Sequence, residues 1–373
     1  MPSTIAFLPQ KLKVLHIPLS VYPQLLHPIL TLLLVRHSST SDGDAPFVNI
    51  SFTPYECSVI CPTELAEEYF ADPPYGAKVS QDDYVAIQVD GDDLTSSYIS
   101  DTGTGDPGRR ILGLTTPLAL AGVSIFFVTT YYSDYVLVPH ALQPLVMEVL
   151  TRNSFVFETH SGAYIPDPTS PNNVMSGSSS TTREETSDGT LQKNTMARLE
   201  EAGVVPQVMA ETEMVHVGAS TDTLAENPRL AIAVTQTLLR KPPPSLFSIT
   251  LSPTSAPSLL LPVDILDDFP GDGELYGMAD NEEDGRLVPI LWDLSSLEPD
   301  TPQTGQSSAV SPSSSSAGGA GIVAGVAGRL VEGGCGVLTY LSTARAGVVL
   351  VGKVLDLEKA TKAVGLANGT NDD

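Results

Sequence analysis

The chain alternates between short apolar runs of strand character and longer runs with helical spacing, interrupted by two polar stretches. Lys11–Ile17 alternates as a strand does, and Pro28–Val35 repeats its apolar positions at helical spacing, with Pro28 in the first turn. Phe47–Phe52 and Cys57–Cys61 read as a hairpin around Thr53-Pro54-Tyr55-Glu56. Thr63 opens a helix through Phe70 whose early glutamates, Glu64, Glu67 and Glu68, suit the helix dipole. A strand at Tyr84–Val89, a helix over Arg110–Leu120, strands at Val123–Val128 and Tyr135–Val138, and a helix over Leu142–Thr151 follow. Strand–helix–strand–strand–helix–strand units of this kind predict an α+β fold, with helices on one face of antiparallel sheets.

Two stretches break the pattern. Residues 166–205 open with Ser, Thr, Asn and Pro in place of apolar positions and predict a disordered linker, and 296–318 predicts a second, serine-rich loop. The first lies near the middle and divides the chain into two halves. These halves share an internal repeat. Thr129-Thr130-Tyr131-Tyr132-Ser133-Asp134-Tyr135-Val136-Leu137-Val138 matches Ser342-Thr343-Ala344-Arg345-Ala346-Gly347-Val348-Val349-Leu350-Val351 in its hydroxyl pair and its apolar quartet. Each is preceded by a helix with a late leucine, Leu118 or Leu330, and a loop glycine, Gly122 or Gly336. Such matching argues duplication, with the two halves packed side by side.

Composition narrows the function. At 373 residues, two to four compact units are expected. With 44 acidic against 19 basic residues the formal charge is −25, which disfavours nucleic acid and anionic membranes. The longest apolar stretch, Leu25–Val35, is short of the roughly 20 residues a membrane span needs. The start, Met1–Gln10, lacks a signal-peptide pattern, and three cysteines make no disulfide framework, so a reducing, cytoplasmic location is expected.

Catalytic and metal motifs are weak. Gly319-Ala-Gly321-Ile-Val-Ala324 imitates a dinucleotide fingerprint but follows a serine-rich loop, not a strand. Asp280, Glu282, Asp284 and Gly285 begin like a calcium loop, yet the position for its bidentate glutamate is Leu291. The six histidines are scattered singly. No enzyme, cofactor or metal is expected.

Gly122–Val138, an apolar strand ending in Thr-Thr-Tyr and followed by Asp and Leu-Val, resembles the second ACT module of the CASTOR family of cytosolic arginine sensors in the TOR pathway. Gly321–Leu330 with Leu341-Ser342-Thr343 is similar to the fourth module, with weaker likenesses at Leu12–Leu34, Pro228–Leu239 and Gly273–Tyr276. The resemblance implies four ferredoxin-like βαββαβ modules in two tandem halves: 1–78, 79–165, 206–275 and 276–373. It implies a non-enzymatic regulator that binds a small amino acid and reports nutrient status to partner proteins, and it admits a homodimer.

The implied pocket lies between the second and fourth modules, with Gly321, Ile322 and Val323 offering free backbone N–H groups to a carboxylate. Ser124 and Ile125 would form the opposing wall, with Thr343 and Ala344 at the far end. Where the arginine sensors carry acids, this chain has Gly319 and Gly347, and a guanidinium would lack its carboxylate partners. Asp134 keeps an acid in the first half but reads as a turn residue. The alternative is an interaction protein with an empty pocket that binds its partners constitutively.

Overall fold

A computed structural model describes residues 4–35, 45–90, 107–158, 188–271, 273–277, 285–297, 321–336 and 338–366. The chain begins with β1 (Thr4–Pro18), α1 (Leu26–Leu34), β2 (Val48–Phe52), β3 (Glu56–Pro62), α2 (Thr63–Tyr69) and β4 (Lys78–Val79). It continues with β5 (Tyr84–Asp90), α3 (Pro107–Leu120), β6 (Phe126–Thr129), β7 (Ser133–Pro139), α4 (Gln143–Arg152) and β8 (Val156–Phe157). After α5 (Asp188–Glu201) and β9 (Gln207–Val208) come β10 (Met214–Ala219), α6 (Pro228–Leu239), β11 (Phe247–Leu251), β12 (Ser258–Pro262) and β13 (Leu275–Tyr276). The last elements are β14 (Leu287–Asp293), α7 (Ile322–Glu332), β15 (Leu338–Ser342), β16 (Ala346–Gly352) and α8 (Leu357–Ala363).

This is an α+β fold of mainly antiparallel strands with packed helices. Among the described residues, sixteen strands form one continuous sheet, in which β2 pairs with β11 and β6 with β15 across the two halves. A Met214↔Leu287 bridge between β10 and β14 brings the two ends together, so the sheet curls into a barrel-like ring. Strand residues alternate between two faces, and the ring therefore has an inside and an outside. Inside lies a strand-only core with Val128, Tyr135, Leu137, Leu341, Val348 and Leu350. Outside lie two helix-covered cores. One joins α1, α2 and α6 to the strands around β2 and β11; the other joins α3, α4, α5, α7 and α8 to those around β6 and β15.

Local chemistry explains the helix starts. At α6 the Asn227 side chain accepts the backbone N–H of Leu230 at 3.0 Å, and Pro228 occupies the first turn. At α7 the preceding Gly321 has φ 87°, a left-handed conformation that costs a residue with a Cβ.

Four expectations change. The expected linker 166–205 contains helix α5, whose Gln192, Thr195 and Leu199 are buried; its earlier part, 166–187, lies outside the described residues. The expected loop 296–318 has a short 3-10 turn at Ser295–Leu297, and the rest lies outside the described residues. β9, at the start of the unit expected over 206–275, pairs with β14 in the unit that follows. Asp134 sits within β7 opposite Thr129, buried, and the turn comes earlier, from Thr130 to Ser133.

Candidate functional site

The repeated segments fold alike. In the first, Thr130 N–H donates to the Ser133 carbonyl at 3.0 Å, and the Ser133 N–H returns to Thr130 Oγ1 at 3.0 Å. In the second, Thr343 N–H donates to the Ala346 carbonyl at 2.8 Å, and the Ala346 N–H returns to Thr343 Oγ1 at 3.0 Å. Each threonine hydroxyl thus closes its own turn. Each turn then docks on a hairpin serine of the other half. Tyr131 N–H donates to Ser258 Oγ at 2.8 Å, and Ala344 N–H donates to Ser58 Oγ at 3.1 Å.

Between these docked turns, β6 and β15 form one of the seams between the two halves. Leu341 pairs with Val128, Phe127 N–H donates to Ser342 Oγ at 2.9 Å, and Tyr340 N–H donates to Thr129 Oγ1 at 3.1 Å. β6 and β15 run antiparallel, so the residues leading into β6, Ser124 and Ile125, lie beside the end of β15. Helix α7 starts beside the end of α3, the helix that leads through Gly122 into β6. A Cβ on Gly321 would stand 3.7 Å from Ala119 Cβ, close to the end of α3.

Ile125, Ile322 and Val323 accordingly share one apolar cluster with Phe127, Trp292 and Tyr340. Ser124 is half-buried beside Ile125. Thr343 and Ala344 are placed elsewhere. The Thr343 hydroxyl donates to Glu56 Oε1 at 2.6 Å, and Ala344 packs against the inner core on the other face of the sheet. The reason is strand alternation combined with docking of their turn on β3. Gly319 lies outside the described residues, whereas Gly347 stands in β16 opposite Trp292 and Ser342.

Several features were not legible beforehand. Helix α5 covers the start of α7: Thr195 Oγ1 donates to the Gly321 carbonyl at 3.3 Å, and Leu191 lies against Gly321. Glu56, fully buried, accepts from Thr343 Oγ1 at 2.6 Å and from Arg345 N–H at 2.7 Å, and it pairs with His16 Nδ1 at 2.6 Å. Trp292, 1% exposed, has no hydrogen-bond partner for its indole N–H among the described residues. An unmet buried donor of this kind costs about 1–3 kcal/mol. Burial drives the Tyr340 phenol far above its usual range, which keeps its proton on the oxygen. The signal for Trp292 was only its uniqueness in the chain.

Two surface hollows, of about 750 and 640 Å³, lie away from this seam. One is lined by residues such as Arg240, Lys241 and Asp264, the other by Arg329, Lys359 and Lys362. No group of three or more His, Cys, Asp or Glu able to hold a metal is found among the described residues. No helix among them is long and apolar enough to cross a membrane.

The chain resembles several solved structures at low identity. A protein of Agrobacterium tumefaciens aligns at 18% identity with a TM-score of 0.29, over 44% of this chain and 99% of its own. Aspartate kinase from Synechocystis aligns at 10% identity with a TM-score of 0.32, over 98% of this chain and 56% of the kinase. The ligand-free regulatory subunit of aspartate kinase from Thermus thermophilus aligns at 13% identity with a TM-score of 0.28, over 41% of this chain and 99% of the subunit. No curated protein matches the chain. The family model described as the ACT domain, a regulatory, ligand-binding module, matches residues 79–152, so the chain contains an ACT domain there.

Proposed function

We propose that this chain is a non-enzymatic, CASTOR-like regulatory protein of four ACT-like modules in two tandem halves. In this reading it binds a small amino acid at the β6–β15 seam and signals nutrient status in the cytoplasm through partner proteins. The observation that carries the reading is the convergence at one end of that seam. The α7 start at Gly321, Ile322 and Val323 shares its apolar cluster with Ile125, next to Ser124. A helix start offers backbone N–H groups and the positive end of a dipole to an α-carboxylate. Thr343 and Ala344 act less directly, because their turn ties this end of the seam to Glu56 and Ser58. Ligand at the seam would thereby bias how the two halves meet, and a partner protein would read that surface.

A thermal-shift series over the twenty amino acids tests the proposal. A ligand bound only by the folded state raises the melting temperature as its free concentration exceeds Kd. A selective, saturable rise for one amino acid is expected, and no rise for any of them would overturn the reading.

The packing of α5 on Gly321 favours a second reading, an interaction module with an empty pocket. It predicts partner binding that is indifferent to every amino acid in that series.

A further inference from the structure

The two halves place corresponding residues in corresponding surroundings. Leu12 faces Pro62 between β1 and β3, and Met214 faces Pro262 between β10 and β12. Asn49 faces Ile60 between β2 and β3, and Ser248 faces Leu260 between β11 and β12. Counting back from these pairs, Gln10 corresponds to Thr212, Ala45 to Pro244 and Phe47 to Leu246. In the first half the Gln10 carboxamide makes two bonds. Phe47 N–H donates to its Oε1 at 2.9 Å, and its Nε2 donates to the Ala45 carbonyl at 3.3 Å. In the second half Thr212 makes neither bond, and no other described residue supplies them to the Leu246 N–H or the Pro244 carbonyl. Leu246 is fully buried, and a buried donor left unmet is costly. Thr212, Pro244 and Ser245, the residue before Leu246, line the surface hollow of about 750 Å³. The second half is thus open where the first holds a carboxamide of its own.

We infer that this hollow binds a small molecule with a primary carboxamide, free glutamine being the form that its charges fit. The ligand carboxamide takes the place that the Gln10 side chain holds in the first half. Its oxygen accepts the Leu246 N–H, and its NH2 donates to the Pro244 carbonyl. A carboxylate makes only the first bond and sets an oxygen against the carbonyl, and an aliphatic group makes neither. The wall of the hollow suits the charged end of an amino acid. Lys241 is exposed there for a carboxylate, and Glu211 and Asp264 are exposed for an ammonium group. Glu213 and Arg240 are already taken up by ion pairs, with Arg286 and Asp268. Consecutive prolines, Pro242 to Pro244, restrict the backbone of this wall, so little ordering is left for binding to cost. The hollow lies away from the β6–β15 seam, and the inference does not rest on the reading given for that seam.

The full chain is titrated by calorimetry with glutamine, glutamate, leucine and glutamine blocked at both ends as in a peptide. Glutamine is expected to bind about tenfold or more tightly than glutamate or leucine. The blocked arm decides between the free amino acid and a glutamine side chain within a peptide. Thr212→Gln supplies the carboxamide from the chain itself, as Gln10 does. It is expected to raise the melting temperature and to abolish glutamine binding. Thr212→Glu, of the same length but without the NH2, is expected to raise the melting temperature less. Glutamate or leucine binding as tightly as glutamine overturns the carboxamide assignment, as do equal melting temperatures for the two variants. Glutamine binding that is unchanged in Thr212→Gln puts the ligand elsewhere and overturns the site. Absence of glutamine binding to the wild type overturns the inference whatever the variants do, while binding of another amino acid at the seam is decided by the thermal-shift series.

Discussion

Thr343 Oγ1 donates to Glu56 Oε1 at 2.6 Å across 287 residues of sequence, fastening the second repeated turn to the β2–β3 hairpin of the other half. Glu56 is fully buried, and His16 and the Arg345 backbone N–H fill the rest of its carboxylate. Removing the carboxylate strands all three partners. Glu56→Ala is therefore expected to cost about 3 kcal/mol or more, and Thr343→Val about 1 kcal/mol. A double-mutant cycle in urea measures the coupling, and additivity within about 0.3 kcal/mol would show that the pair contributes nothing of its own.

The halves should hold together without a covalent link. β2 and β11 pair from Val48↔Leu251 to Phe52↔Phe247, and Asn49 Nδ2 reaches Ser248 Oγ and Thr250 Oγ1, each at 3.0 Å, inside that seam. Buried polar groups satisfied across a seam fix its register, because a slip leaves them unmet. Residues 1–158 and 188–373, co-expressed as separate chains, are expected to elute as one species in size-exclusion chromatography. Independent elution would refute the continuous sheet.

Acid should loosen the other docked turn first. Burial pushes the His216 imidazole down to about 4, while its ring faces Tyr131 and its Nε2 lies 3.1 Å from Ser258 Oγ. Below the ordinary histidine value near 6.5 the unfolded chain takes up a proton that the folded chain refuses. His216 therefore costs the fold nothing above about pH 6.5, costs more as pH falls toward 4, and levels off below that. Lower still, Glu213 adds to the loss, since hydrogen bonds from Lys353 and Arg286 hold its carboxyl low and are lost on protonation. Urea midpoints should be nearly level between pH 8 and 6.5 and fall at pH 5 for the wild type, and fall less at pH 5 for His216→Gln.

Much of the first half was legible because its buried faces are apolar and regularly spaced. The predicted helix over Arg110–Leu120 is found as Pro107–Leu120, and the predicted strand Tyr84–Val89 as Tyr84–Asp90. The repeated turns were legible from their hydroxyl pairs. What escaped was burial of polar side chains. Asn49 and Ser51 read as ordinary polar residues of a predicted strand but line a seam between halves with Ser248, and Glu56 read as a turn residue. Nothing in the sequence marks which polar residue will meet a partner some 200 positions away. Trp292 was hidden for the same reason, since an unmet donor is a property of the packed fold alone.

Helix α5 is the clearest such case, and it yields the last prediction. Its buried residues include Gln192 and Thr195, so its apolar periodicity is weak and its segment reads as linker. They can be buried because α7 presents glycines to them: a Cβ on Gly325 would stand 2.4 Å from Thr195 Cβ, and one on Gly328 2.5 Å from Gln192 Nε2. Those separations are far below van der Waals contact, so even one methyl group forces the helices apart. Overpacking of this kind costs about 1–3 kcal/mol. Gly325→Ala is expected to lower stability by that amount and to speed amide exchange selectively over Asp188–Glu201. Adding Thr195→Gly should relieve the crowding and restore part of the protection, although glycine inside a helix itself costs about 1 kcal/mol. If Gly325→Ala leaves both stability and exchange over Asp188–Glu201 unchanged, α5 does not pack on α7 in solution, and the start of α7 stands uncovered.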